Sequence, residues 1–196
     1  MSDSSPPDRD FPFCEAQGVR LLAMDCDGVL TDGSIWLTDD GHELKRFSAR
    51  DGYGVRLWTD AGYQAAIVTG RGGAHVKRRA EELGIEHVFE RVGDKAEFAS
   101  RLAAATGVGV EAIAYIGDDW PDIRLMNKVG FPAAPADAEP PVIEAAAWTS
   151  TRKGGHGAVR ELAEHLLREK GELPSPGAAR TAAGPNAAAA RGQRVR

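Results

Sequence analysis

Short apolar runs alternate with amphipathic segments along most of this chain, and that order constrains its fold more than any other feature. The pattern predicts a strand over Val19 to Met24, a helix near Asp51 to Ala61, a strand over Gln64 to Val68 and a helix over Gly73 to Leu83. A short strand at His87 to Phe89, a helix at Lys95 to Thr106, a strand at Ile113 to Ile116 and a helix from Pro121 to Lys128 continue it. Short elements reach Trp148, and a last helix is expected over His156 to Glu169, where Val159, Leu162, Ala163, Leu166 and Leu167 share one face. Strands and helices in this order imply a parallel sheet covered by helices on both faces, a Rossmann-like doubly wound α/β fold. Ligands of such sheets bind at the carboxyl ends of the strands. One segment departs from the alternation: Ser34 to Leu37 and Glu43 to Phe47 flank TDDGH and read as a protruding β-hairpin with Asp40-Gly41 in its turn.

The ends look different from the middle. Residues 1–17 start rich in Ser, Pro and Asp, and residues 171–196 are rich in Ala, Gly, Pro and Arg without apolar periodicity, so both are expected to be unstructured around a single domain at 18–170. A net charge of -5 disfavours nucleic acid as the partner, because phosphate-backbone binding needs a clustered positive surface. No apolar stretch has the length of a membrane span, and the N-terminus lacks the basic start and apolar run of a secretory signal. Cys14 and Cys26 make no disulfide framework and suit a reducing compartment, so the cytoplasm is expected.

The first strand, VRLLAMDCDGVLTDG, ends in two aspartates one residue apart, and a period of two puts Asp25 and Asp27 on the same side. Carboxylates held together repel, and a hard cation such as Mg²⁺ relieves that. By itself DxDG also describes a solvated turn. The segment YIGDDWPD places Asp118, Asp119 and Asp122 at a second strand end, where Asp118 is the better ligand candidate and Asp119 and Asp122 have an alternative use as helix caps. Between these acidic groups lie IVTGRGG, in which a strand ends in Thr69, Gly70 and Arg71, and Lys95 at the start of a helix. Hydroxyl, backbone N–H and ammonium are anion-binding groups, and their order between the two acidic clusters outweighs any one alone. Cys26, facing away between the aspartates, reads as a small buried residue.

DCDGVLTDG, IVTGR, Lys95 and GDDWPD together resemble the four motifs of the haloacid dehalogenase superfamily, and RFSARDGYG with TRKGGHGAVRE resembles its capless sugar-acid phosphatases over residues 18–170. The resemblance implies that Asp25 is a nucleophile giving an aspartyl-phosphate and Asp27 the general acid, then base. Thr69 and Lys95 would hold phosphoryl oxygens, and Mg²⁺ would sit on Asp25, Asp27 and Asp118, with a backbone carbonyl contributing. It further implies a substrate such as 3-deoxy-D-manno-octulosonate 8-phosphate, with a nonulosonate (sialic-acid-like) 9-phosphate as the alternative. Gly70, Arg71, Arg50 and Arg78 are candidates for the rest of the substrate, the arginines for a carboxylate. A signalling receiver domain combines similar residues, but that family carries adjacent acids on its first strand and its phospho-acceptor on a later one. The gaps from Asp27 to Arg50 and from Thr69 to Lys95 are too short for a large cap domain. The hairpin, with Ile35, Trp36, Leu37, Leu44 and Phe47, is therefore expected to shield a neighbour's site in a homo-oligomer, a homotetramer by the resemblance.

Overall fold

A computed structural model describes residues 13–176. Its core is a six-stranded sheet in the order β5-β4-β1-β6-β7-β8, every neighbouring pair parallel. The strands are β1 (Leu21–Met24), β4 (Gln64–Val68), β5 (His87–Phe89), β6 (Ile113–Ile116), β7 (Phe131–Ala134) and β8 (Trp148–Thr149). Alternate residues divide the core in two. Leu22, Met24, Ile67 and Ile116 face α1 (Ala49–Asp60), α2 (Ala74–Leu83) and α6 (Ala158–Glu169), and Leu21, Ala23, Val68 and Ile113 face α3 (Lys95–Thr106), α4 (Trp120–Met126) and α5 (Pro140–Ala145). Both faces are thus covered, and the strands read as continuous apolar runs for that reason. From β1 the chain winds outward through β4 and β5 and then returns to β6, so the order reverses between β1 and β6. A crevice opens at such a reversal beyond the carboxyl ends of the strands.

β4, β5, α3 and β6 have the expected bounds, and the other expected elements are present with ends that differ by one to three residues. The last helix starts at Ala158 because Gly157 takes a φ of 111°. The hairpin pairs β2 (Trp36–Leu37) with β3 (Glu43–Leu44), Trp36 opposite Leu44, and Gly41 supplies the left-handed turn residue with a φ of 82°. Ile35, Trp36, Leu37 and Leu44 stand exposed on it. Phe47, expected on the same surface, instead packs against the body of the domain, with Arg79 5.8 Å above its ring.

The expectation of unstructured ends falls partly on residues 1–12 and 177–196, outside the described residues. Within the described part, the segment adjoining the domain is packed: Cys14 N–H donates to Gly130 O at 2.8 Å, and Ala16 is buried in a short 3₁₀ turn, Ala16–Gly18. At the other end Leu173 packs on the core and Glu172 accepts a bond from Tyr63 Oη at 3.0 Å. No helix among the described residues is long and apolar enough to cross a membrane.

Candidate active site

Asp25 follows β1 directly, and its N–H donates to Ile116 O at 3.0 Å, extending the β1–β6 ladder to the strand ends. This brings it beside Asp118, two residues past β6. Asp25, Asp118 and Asp122 each offer an oxygen within 4.8 Å of the others. Met24 pairs with Ile67 of β4, which puts buried Thr69 at the same sheet edge. Lys95 opens α3 beneath them, 5% exposed, and its Nζ donates to Asp25 Oδ1 at 3.0 Å, to Tyr115 Oη at 3.0 Å and to Asp122 Oδ1. Three donors and three acceptors satisfy the ammonium.

Asp122 takes the capping use foreseen for it and adds an unforeseen one, as a partner of Lys95 and Tyr115. Its Oδ2 accepts the N–H groups of Asp118 and Asp119 at 3.0 and 3.1 Å, closing a capping box with Asp119 at the start of α4. Its Oδ1 accepts from Lys95 and, at 2.5 Å, from Tyr115 Oη. Asp119 is a cap exposed to solvent. Asp122 is therefore largely saturated by protein donors, whereas Asp118 Oδ1 is buried with no hydrogen-bond partner. An orphaned carboxylate oxygen facing a second buried carboxylate fits a divalent cation. Gly28 is required beside it: with a φ of 82°, a Cβ there would lie 1.9 Å from Asp118 Oδ2.

The charges agree with that fit. Burial, reinforced by repulsion from Asp122, pushes the Asp25 carboxyl up to about 7. Burial and repulsion from Asp25 push Asp118 to about 8. Burial opposes the charge on Lys95, but Asp25 and Asp122 outweigh it and hold the ammonium above its ordinary value. Burial pushes the Cys26 thiol up to about 12, in keeping with an inert packing residue.

The Asp27 carboxylate stands outside this acidic group. Lys45, reaching back from the end of the hairpin with its side chain 1% exposed, bonds Asp27 Oδ1, and Arg71 Nε lies 4.0 Å from Oδ2. Of the expected metal set, the carboxylates of Asp25 and Asp118 are brought together, and that of Asp27 is held apart from them by Lys45. Arg71 also pairs with Glu43 Oε2 of the hairpin at 2.8 Å, and exposed Gly70 precedes it. Arg50 and Arg78 are exposed on α1 and α2 and form no ion pair with a described residue; on α2 it is Arg79 that turns inward, to Ser48 O at 3.0 Å. Lys45, Glu43 and Tyr115 were not foreseen. Tyr115 carried a signal, since a tyrosine in a buried strand needs a partner for its hydroxyl. The pairing of Lys45 depends on how the hairpin folds back, which spacing does not show.

Paired strand-end carboxylates, a threonine and a buried lysine at the switch point of a doubly wound sheet define a class, the α/β proteins built to hold a phosphoryl group beside a divalent cation. Residues 87–162 match the haloacid dehalogenase-like hydrolase family. The chain is 42% identical over 161 residues to the 3-deoxy-D-manno-octulosonate 8-phosphate phosphatase KdsC of Escherichia coli K12, covering 82% of this chain and 86% of that one. The crystal structure of the Yersinia pestis phosphatase of that name superposes with a TM-score of 0.78 at 40% identity, covering 81% of this chain and 85% of the other. The Moraxella catarrhalis phosphatase, in complex with magnesium ion, phosphate ion and KDO, gives a TM-score of 0.78 at 37% identity, covering 81% and 91%. This chain therefore belongs to the haloacid dehalogenase-like hydrolases and, within them, to the family of 3-deoxy-D-manno-octulosonate 8-phosphate phosphatases.

Proposed function

We infer that the protein is a Mg²⁺-dependent phosphatase that hydrolyses a sugar-acid phosphate, 3-deoxy-D-manno-octulosonate 8-phosphate in first place. The main support is the convergence of buried Asp25 and half-buried Asp118, with an unpartnered Asp118 oxygen, in a chain of this family. Asp25 attacks phosphorus in line and becomes an aspartyl-phosphate, while Asp27 gives a proton to the departing sugar oxygen. Asp27 then takes a proton from the water that hydrolyses the acyl phosphate, one group serving both steps. Lys45 and Arg71 keep the Asp27 carboxylate at the mouth of the site. Thr69 and Lys95 hold phosphoryl oxygens, so that an anionic carboxylate can approach an anionic phosphate. Mg²⁺, held by Asp25, Asp118 and the Asp27 carbonyl, supplies charge neutralisation at the phosphoryl group.

Among the arginine candidates for the substrate carboxylate, Arg71 has the best support, being half exposed beside Asp27. A bidentate carboxylate pair contributes about 1.5–3 kcal/mol, so sugar acids should exceed neutral sugar phosphates about 10- to 150-fold in kcat/KM. The test is phosphate release with Mg²⁺ across 3-deoxy-D-manno-octulosonate 8-phosphate, a nonulosonate 9-phosphate and glucose 6-phosphate, repeated with Arg71→Ala. The octulosonate ester should lead and Arg71→Ala should narrow the gap to glucose 6-phosphate. Equal turnover of all three would refute the carboxylate preference, and a lead for the nonulosonate ester would move the assignment to the sialic-acid-like substrates.

The same proposal includes a cytoplasmic homotetramer joined through the hairpin. An isolated two-stranded hairpin is marginal in water, and this one exposes Ile35, Trp36, Leu37 and Leu44. Contact between copies would cover them and shield the open crevice from water. Trp36→Asp and Leu44→Asp, which alter a facing cross-strand pair, should dissociate the assembly in light scattering and lower kcat/KM. A wild-type monomer with full activity at micromolar concentration would rule the assembly out.

A further inference from the structure

We propose that Asp51 is a positioning residue for this reaction: by capping α6 from the neighbouring helix, it seats the Gly154–Gly155 segment against the Gly28–Asp32 turn that follows Asp27. The inference rests on the phosphatase function above, which makes Asp27 and Asp118 the groups whose placement matters.

The first turn of α6 lacks a cap of its own. Its N-cap is Gly157, which has no side chain to offer, so the leading N–H groups need another acceptor. Asp51, 1% exposed on the first turn of α1, supplies it: Oδ2 accepts Gly157 N–H at 3.0 Å and Oδ1 accepts Arg160 N–H at 3.1 Å. A carboxylate buried without a cationic side chain is costly, and the positive end of α6 offsets that cost. The two helices sit close enough that a Cβ on Gly54 would fall 2.4 Å from the Arg160 Cα.

From Gly157 the constraint runs back toward the site. Gly155 N–H donates to Val29 O at 2.9 Å. A Cβ on Gly154 would lie 1.7 Å from Gly28 O, and one on Gly155 would lie 2.5 Å from the Thr31 carbonyl carbon. On its far side the segment is held by Asp137, whose Oδ1 accepts Gly154 N–H at 2.9 Å. The opposite side of the turn rests on Asp118 through Gly28. The turn is thus clamped between a metal-ligand candidate and a glycine segment whose position Asp51 sets. Capping alone needs neither glycine contact, so the contacts argue for a role beyond helix stability. A misplacement of about 1 Å at reacting groups can cost about 100-fold in rate, which gives such a clamp leverage on kcat.

The test uses the full chain with Mg²⁺ and 3-deoxy-D-manno-octulosonate 8-phosphate, comparing wild type, Asp51→Asn and Asp137→Ala. Asp51→Asn keeps the volume but sets an amide NH₂ against one of the N–H donors; exposed Asp137 is a milder way to loosen the same segment. Per folded molecule, Asp51→Asn should lower kcat about tenfold or more with KM within about threefold, and Asp137→Ala should lower it in the same pattern by less. Hydrogen exchange should quicken in both variants at Leu30 and Thr31, whose N–H groups are bonded to Cys26 O in the turn. A kcat within twofold of wild type in Asp51→Asn, or exchange that quickens in α6 but not at Leu30 and Thr31, overturns the proposal alone. A wild-type chain that releases no phosphate overturns the functional assignment and the proposal with it.

Discussion

Replacing Asp25 by Asn is expected to reduce phosphate release by about four powers of ten or more, the scale on which loss of a nucleophile acts. The substitution is nearly isosteric, and an amide oxygen can still accept from Lys95 Nζ, now 3.0 Å from Asp25 Oδ1. What disappears is the anionic oxygen proposed to attack phosphorus. Asp27→Asn isolates a different step. Its carboxylate lies with Lys45 and Arg71 outside the acidic group, so the amide should leave Asp25 and Asp118 where they are. Turnover should then fall because the leaving oxygen gains no proton, and the loss should shrink with a substrate whose leaving group is a good one, such as p-nitrophenyl phosphate. No such recovery is expected of Asp25→Asn. If Asp25→Asn keeps more than about a hundredth of wild-type activity, another group is the nucleophile and the assignment fails.

How far the sequence carried this picture depends on the kind of signal. The bounds of β4, β5, α3 and β6 were readable because an apolar period and a turn or cap coincide at each end. Asp25, Thr69, Lys95 and Asp118 were readable because each follows a strand or opens a helix, and a parallel sheet sends all such positions to one edge. Side-chain partners were harder. Arg78 and Arg79 differ by one residue on α2, and only the buried stripe Val76, Ala80 and Leu83 shows which of them turns toward Ser48. Lys45 reaches Asp27 because the hairpin leans back over the site, and Asp51 reaches α6 across 106 residues of sequence. Neither contact leaves a periodic trace. Phe47 shows the converse error, an apolar residue credited to the hairpin surface although the chain has already turned back onto the core by that point.

The acidic centre also makes stability depend on pH and Mg²⁺ together. In the folded, metal-free chain Asp25 is pushed up to about 7 and Asp118 to about 8, chiefly by burial, whereas an unfolded aspartate titrates near 4. Between those limits the native state binds more protons than the unfolded one, so stability falls as pH rises toward about 8. Asp51, also raised by burial, adds to the fall. His165 works the other way, since burial lowers it and its neutral form is favoured in the fold; its contribution is complete once pH exceeds its unfolded value near 6.5. Carboxylates held low, such as Glu43 and Glu90, finish titrating well below that. From pH 6.5 to 8.5 the acidic centre carries most of the fall, and Cys26, whose thiol burial pushes up to about 12, adds to it only near the top, where the unfolded thiol begins to ionise. Without metal, Tm should drop by several degrees across that window. Mg²⁺ binds the ionised carboxylates and so should raise Tm more at pH 8.5 than at pH 6.5, flattening the profile. Asp118→Asn removes one of the two charges and the orphaned oxygen, and should flatten the metal-free profile while losing most of the Mg²⁺ response. Thermal unfolding with and without chelator decides it: a metal-free Tm that climbs from pH 6.5 to 8.5, or a Mg²⁺ increment equal at both, would mean that Asp25 and Asp118 do not form the cation site.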